Sequence, residues 1–141
     1  MFKVSKENML EALDEFGESY NCPVYISIVN MSGFFSSRTN IHYGYAAITD
    51  SGCIIIAEYS LLAEQARYTI PIDDIRALKA KRLMLGLGHN INLETICEGK
   101  KLKLEIGVSQ KVKSGGIDEQ KQNSELFMKA LSHCAVFQGK I

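Results

Sequence analysis

A chain of 141 residues is long enough to bury one core without disulfides or metal, and short enough to be a single domain. Its hydrophobic fraction of 46% and charged fraction of 23% are those of an ordinary globular protein. Its 16 basic and 16 acidic residues cancel, which excludes a global field drawing it to nucleic acid or an anionic membrane.

Ser5 to Phe16 reads as an amphipathic helix, with Ser5 as N-cap, Val4 and Met9 spaced for a hydrophobic staple, and Gly17 as the stop. Val24, Ile26 and Ile28 alternate with Tyr25, Ser27 and Val29 as a strand. Asn30 to Ile41 reads as a loop or frayed hairpin. Tyr43 to Thr49 and Cys53 to Ala57 are strands joined by the turn Asp50-Ser51-Gly52. Leu61 to Ala66 fits either a helical turn or a wide hairpin loop. Tyr68 to Ile72 is a strand that Pro71 assigns to an edge or an end, and Asp73-Asp74 caps a short helical turn.

Arg76 to Arg82 is a basic run, Leu83 to Leu87 a short apolar strand, and Gly88-His89-Asn90 a turn. Ile91 to Cys97 and Leu102 to Ile106 alternate as strands around a turn at Glu98-Gly99-Lys100. Lys111 to Gln122 reads as a polar loop. A final helix is expected from Gln122 or Asn123 to Phe137, with Phe127, Ala130, Leu131 and Cys134 as its apolar stripe, widened by Leu126 and Phe137. The expected organisation is one domain over 1–141, with an N-terminal helical segment at 1–19 and a core at 22–138. Segregated strands and helices predict an α+β fold. Its expected form is a curled antiparallel sheet or open barrel of about seven strands, with a C-terminal helix over one end.

Three stretches carry a resemblance. They are Gly44 to Asp50, ending Ile48-Thr49-Asp50; the strand Ile54-Ile55-Ile56; and Ile70-Pro71-Ile72-Asp73-Asp74-Ile75. Two further strands and the helix around Asn123 to Leu131 follow. The order resembles the pleckstrin-homology-like superfold, in particular bacterial PH-like and GRAM-type domains, over Val24 to Phe137. That resemblance implies a binding scaffold for a protein, a lipid head group or an oligomeric neighbour. The basic residues that phosphoinositide-binding PH domains carry on their first two strands have no match at Ile26 to Met31 or Ile41 to Tyr45. Only Arg38 lies in the intervening loop, so phosphoinositide binding is not carried over.

Little in the chain marks chemistry. His42, His89 and His133 have no metal-ligand spacing and read as surface or turn residues. Cys97 and His89 would meet only if their strands paired across Gly88, and nothing marks an orienting group or oxyanion site. Gly86-Leu87-Gly88 lacks the third glycine and the helix of a dinucleotide fingerprint. Asp73-Asp74 has no second acidic pair. Cys22, Cys53, Cys97 and Cys134 lie far apart without CxxC spacing, as expected of free thiols in a reducing compartment. The opening residues show no signal-peptide core, and no apolar run approaches the roughly 20 residues of a spanning helix. The expected location is the cytoplasm.

Two features have a functional reading. Phe34-Phe35 form an exposed docking tip if their segment is a loop, or are buried if it is strand. Arg76, Lys79, Lys81 and Arg82 meet an acidic partner or phosphate if they share a face, or form a solvated corner beside Asp73 and Asp74. Together with Arg38 these are the candidate ligand- or partner-binding residues. No catalytic residue, metal site or cofactor is expected. The first expectation is a non-enzymatic module that binds a protein partner or self-associates, without nucleic acid. The alternative is a peripheral module on anionic membrane lipid, using Phe34, Phe35 and the basic run. A small cysteine-dependent enzyme ranks third.

Overall fold

Two α-helices, eight strands and one 3-10 turn account for the regular structure of the described residues in the computed structural model. Those residues are 4–32, 41–60, 64–84, 87–110, 117 and 119–139. Helix α1 (Lys6–Asp14) precedes strands β1 (Tyr20–Asn30), β2 (His42–Thr49), β3 (Cys53–Tyr59) and β4 (Glu64–Pro71). The 3-10 turn Ile72–Asp74 leads to β5 (Ala77–Arg82), β6 (Gly88–Cys97) and β7 (Lys100–Ser109), then α2 (Gln120–Ser132) and β8 (Phe137–Gly139).

The strands form one sheet in the order β4-β3-β2-β1-β7-β6-β5-β8. Neighbours are antiparallel except β5 and β8, which run parallel. The sheet is therefore mixed and open, with β4 and β8 at its edges. Pro71 ends the edge strand β4, where its missing N–H costs no ladder bond.

Local chemistry explains most boundaries. The Ser5 hydroxyl accepts from the Asn8 N–H at 3.0 Å and starts α1, and Gly17 follows it at φ +73°. At the β2–β3 turn, Thr49 Oγ1 accepts from the Cys53 N–H at 2.9 Å and Gly52 takes φ +87°. Glu98 and Gly99 both have positive φ, the pair that a twisted two-residue hairpin needs.

Alternation along the strands makes two cores. The inner face carries Ile26, Ile56, Leu78, Ile91 and Leu104 against Phe127 and Leu131 of α2. The outer face of β1 to β3 carries Tyr45, Ala47 and Ile55 against Met9 and Leu13 of α1. Arg67 pairs with Glu15 and Glu64 and sits 5.5 Å from the Phe16 ring, tying the end of α1 to β4. The outer face of β5 to β8 has no helix over it among the described residues.

Several sequence-based boundaries move. Of the strand expected at Leu83 to Leu87, the described residues Leu83, Met84 and Leu87 are not in a strand, and residues 85 and 86 lie outside those described; the basic run before it is β5, and Gly88 to Asn90 opens β6. Leu78 and Ala80 alternate inward in that run, so a half-buried strand is satisfied with its cations in water. The final helix starts earlier, at Gln120, and stops at Ser132. Phe137 leaves it to pair beside Leu78, which makes an eighth strand and a parallel pair in a sheet expected to be antiparallel. Leu126 is 48% exposed and does not widen the apolar stripe. In the segment read as a polar loop, Ile117 is buried. Of the stretch Leu61 to Ala66, read as a helical turn or a wide hairpin loop, Glu64 to Ala66 belong to strand β4, and residues 61–63 lie outside those described.

Candidate functional site

The uncovered outer face of β5 to β8 is where the basic run lands. Pairing sets its rows: Gln138, Lys79, Asn92 and Glu105 lie side by side, as do Ala77, Glu94 and Lys103. Lys81 stands opposite Asn90. The Arg76 N–H donates to Glu94 O at 2.8 Å and brings that side chain to the head of β5. Arg76, Lys79, Asn92, Lys103, Val136 and Gln138 line a shallow groove of about 550 Å³. The hollow continues past Lys81 and Gly139 to Arg82.

Glu94 is the acidic neighbour in this groove. It is held by Lys101 at 2.7 Å, and that hydrogen bond lowers its pKa below the ordinary carboxyl value. Asn90 Nδ2 donates to Glu105 Oε1 at 3.1 Å on the same face. Arg76, Lys79 and Lys81 thus share one surface. Arg82 has the opposite parity and stands in register with His89. Phe34, Phe35 and Arg38 lie outside the described residues, so the aromatic tip and the loop cation have no placement.

The turn after β5 carries an apolar cluster. Leu83, Met84 and Leu87 are 41%, 82% and 60% exposed. The Leu83 N–H donates to Gly88 O at 2.8 Å and closes this turn. Gly88 has φ +131°, and a Cβ there would stand 2.1 Å from Val108 O, so glycine lets β6 start hard against β7.

A polar network at the other end of the inner face was not found from the sequence. Glu58 is buried, with Oε2 2.5 Å from His42 Nδ1 and Oε1 accepting from the Tyr68 hydroxyl at 2.9 Å. Asn30 Nδ2 reaches the Tyr68 oxygen at 3.4 Å. Burial, then the hydrogen bond to Glu58, raises the Tyr68 pKa, so the phenol is the donor. His42 is accordingly a half-buried partner of a carboxyl, not a simple surface residue. The available signal was Glu58 itself, which continues the inward period of Ile54 and Ile56.

His89 is buried in β6 rather than placed in a turn, and among the described residues its Nε2 has no hydrogen-bond partner. His89 and Cys97 lie on the same extended strand, about 26 Å apart at the rise of a strand, so they are not brought together. His133 caps the end of α2 and is exposed. Cys22 and Cys134 are buried, Cys53 and Cys97 half-buried, and all four are free. Among the described residues no group of three or more His, Cys, Asp or Glu is arranged to hold a metal. Among them, too, no helix is long and apolar enough to cross a membrane.

No family model matches the chain, and no curated protein matches it. Among solved structures it is similar to the hSac2 domain from human phosphoinositide phosphatase Sac2, at a TM-score of 0.49 and 6% identity. The match covers 97% of this chain and 90% of that one. At that distance the likeness bears on neither ligand nor activity.

Proposed function

We propose that the chain is a non-enzymatic PH-like interaction module that binds an extended acidic segment of a protein partner beside β8. Seven meandering strands followed by a helix on the inner face support the PH-like reading. The observation that carries the binding reading is the groove with Arg76, Lys79, Lys81 and Lys103 around it, open beside an edge of the sheet. Strand β8 pairs with Leu78 to Ala80, and among the described residues no strand continues it along Lys81 and Arg82. An incoming strand there gains main-chain hydrogen bonds, and alternate side chains fall toward the lysines. Carboxylates at those positions complement the cations and speed the encounter. The four free thiols support a reducing, cytoplasmic setting.

The test is fluorescence anisotropy with two dye-labelled peptides, one alternating Glu and Val and one alternating Lys and Val. Binding of the acidic peptide at low salt, lost in Lys79→Glu/Lys81→Glu, is expected. Equal binding of both peptides, or of neither, overturns the reading. Native mass spectrometry at increasing concentration adds a further arm. A dimer that the same variant dissociates would make a second copy the occupant and remove the acidic-segment reading.

A further inference from the structure

We infer that the β5–β6 turn is a seat for an anionic membrane surface, with Leu83, Met84 and Leu87 entering the interface and Lys81 and Arg82 meeting the lipid head groups. The seat shares Lys81 and Arg82 with the hollow beside β8, and its apolar residues follow them in the chain. Three large apolar side chains stand exposed on one turn between two strands, and Met84 is bare over 82% of its surface. At that exposure Met84 contributes little to internal packing. An exposed apolar patch of this kind marks an interaction surface.

The charge beside it selects the occupant. Lys81 and Arg82 immediately precede Leu83, and both are exposed. Apolar side chains bordered by cations match the arrangement of an anionic leaflet, with head-group charge outside and acyl chains beneath. The Leu83–Gly88 hydrogen bond and the close approach of Gly88 to Val108 fix the turn to the sheet. The seat therefore presents itself without prior unfolding. Because the chain's charges cancel overall, the attraction is local and screened by salt.

The chain has no tryptophan, so Met84→Trp installs a single reporter at the turn. The full-length variant is titrated with vesicles of phosphatidylcholine alone and with phosphatidylserine at roughly a third of the lipid. Circular dichroism first checks that the fold matches the parent. A blue shift with the anionic vesicles, reduced by high salt and about tenfold weaker in partition when Lys81→Glu/Arg82→Glu is added, is the expected result. Parent protein should co-sediment with the same vesicles, and Leu83→Ser/Leu87→Ser should not. No shift at low salt overturns the inference. So does co-sedimentation without a shift, which puts the membrane contact elsewhere. A concentration-dependent shift without lipid also overturns it, in favour of contact between protein copies.

Discussion

Gln120 and Tyr25 exchange two hydrogen bonds across 95 residues of chain. The Tyr25 N–H donates to Gln120 Oε1 at 3.0 Å, and Gln120 Nε2 donates back to Tyr25 O at 3.0 Å. The same Nε2 donates to Ser109 O at 2.8 Å. The β1–β7 ladder runs from Asn30 opposite Leu104 to Ile26 opposite Val108. Just beyond it, a side-chain amide takes the place of a neighbouring strand. That contact anchors the first turn of α2 where the two strands part, and Asn123 Nδ2 adds a bond to Pro23 O at 3.1 Å.

Gln120→Ala should therefore cost about 2–3 kcal/mol, because three bonds of a buried amide are lost together. Gln120→Glu, which keeps an acceptor but no amide donor, should not restore it. Urea unfolding midpoints measure the loss. Hydrogen exchange should show faster exchange of the Tyr25 amide than of amides in β3. An unchanged midpoint would mean that α2 is held by its apolar stripe alone.

The Glu58 network makes a second, opposed pair of expectations. Glu58→Ala removes the shared acceptor of His42 and Tyr68 inside the sheet, and should destabilise by about 2–4 kcal/mol. Tyr68→Phe removes one donor and leaves the His42 contact, so it should cost about 1 kcal/mol. The double variant should cost less than the sum, since both changes break the same bond. Strict additivity in unfolding measurements would dissolve the network into independent contacts.

Acid should weaken the fold through His89. Burial, then the nearby Arg82 charge, lowers its pKa below the ordinary 6.5. Below that ordinary value the unfolded chain binds a proton that the folded imidazole refuses. The group therefore costs no stability above pH 6.5, and stability falls as the pH drops from there toward the folded value. His89→Leu should flatten the stability curve between about pH 7 and pH 5, whatever offset its packing adds. Parallel curves for variant and parent would show that His89 takes up its proton at the same pH in the folded and unfolded chain.

Cysteine reactivity should divide by burial. Burial pushes the Cys22 thiol up to about 11, with the backbone at Ile48 opposing in part. Cys22 should react with a thiol reagent at neutral pH only as the protein unfolds, and its rate should rise with added urea. Half-buried Cys53 and Cys97 should label first, and buried Cys134 late. Site-resolved mass spectrometry reads the order. Prompt native labelling of Cys22 would instead mean that the β1 bulge at Asn21 to Val24 opens readily.

Much of the scaffold could be read without coordinates because its signals are local. Ser5 and Gly17 bracket α1, Gly52 and Gly99 close hairpins, and Leu102, Leu104 and Ile106 keep a period of two. Each signal acts over a few residues. The basic run was legible as a cluster of charge but not as a strand. Its inward residues are only Leu78 and Ala80, beside the louder apolar stretch Leu83 to Leu87.

By itself the sequence determined the α+β class, the two helices and most of the strands, through periodicity and turn chemistry. Tertiary structure alone decided which cations share a face, because pairing β5 with β6 and β8 sets the rows around Lys79. It also decided that Phe137 leaves the helical pattern for an edge strand, and that Leu83, Met84 and Leu87 stay in water. In each case the deciding partner is a backbone or side chain distant in sequence, and a local pattern cannot contain it.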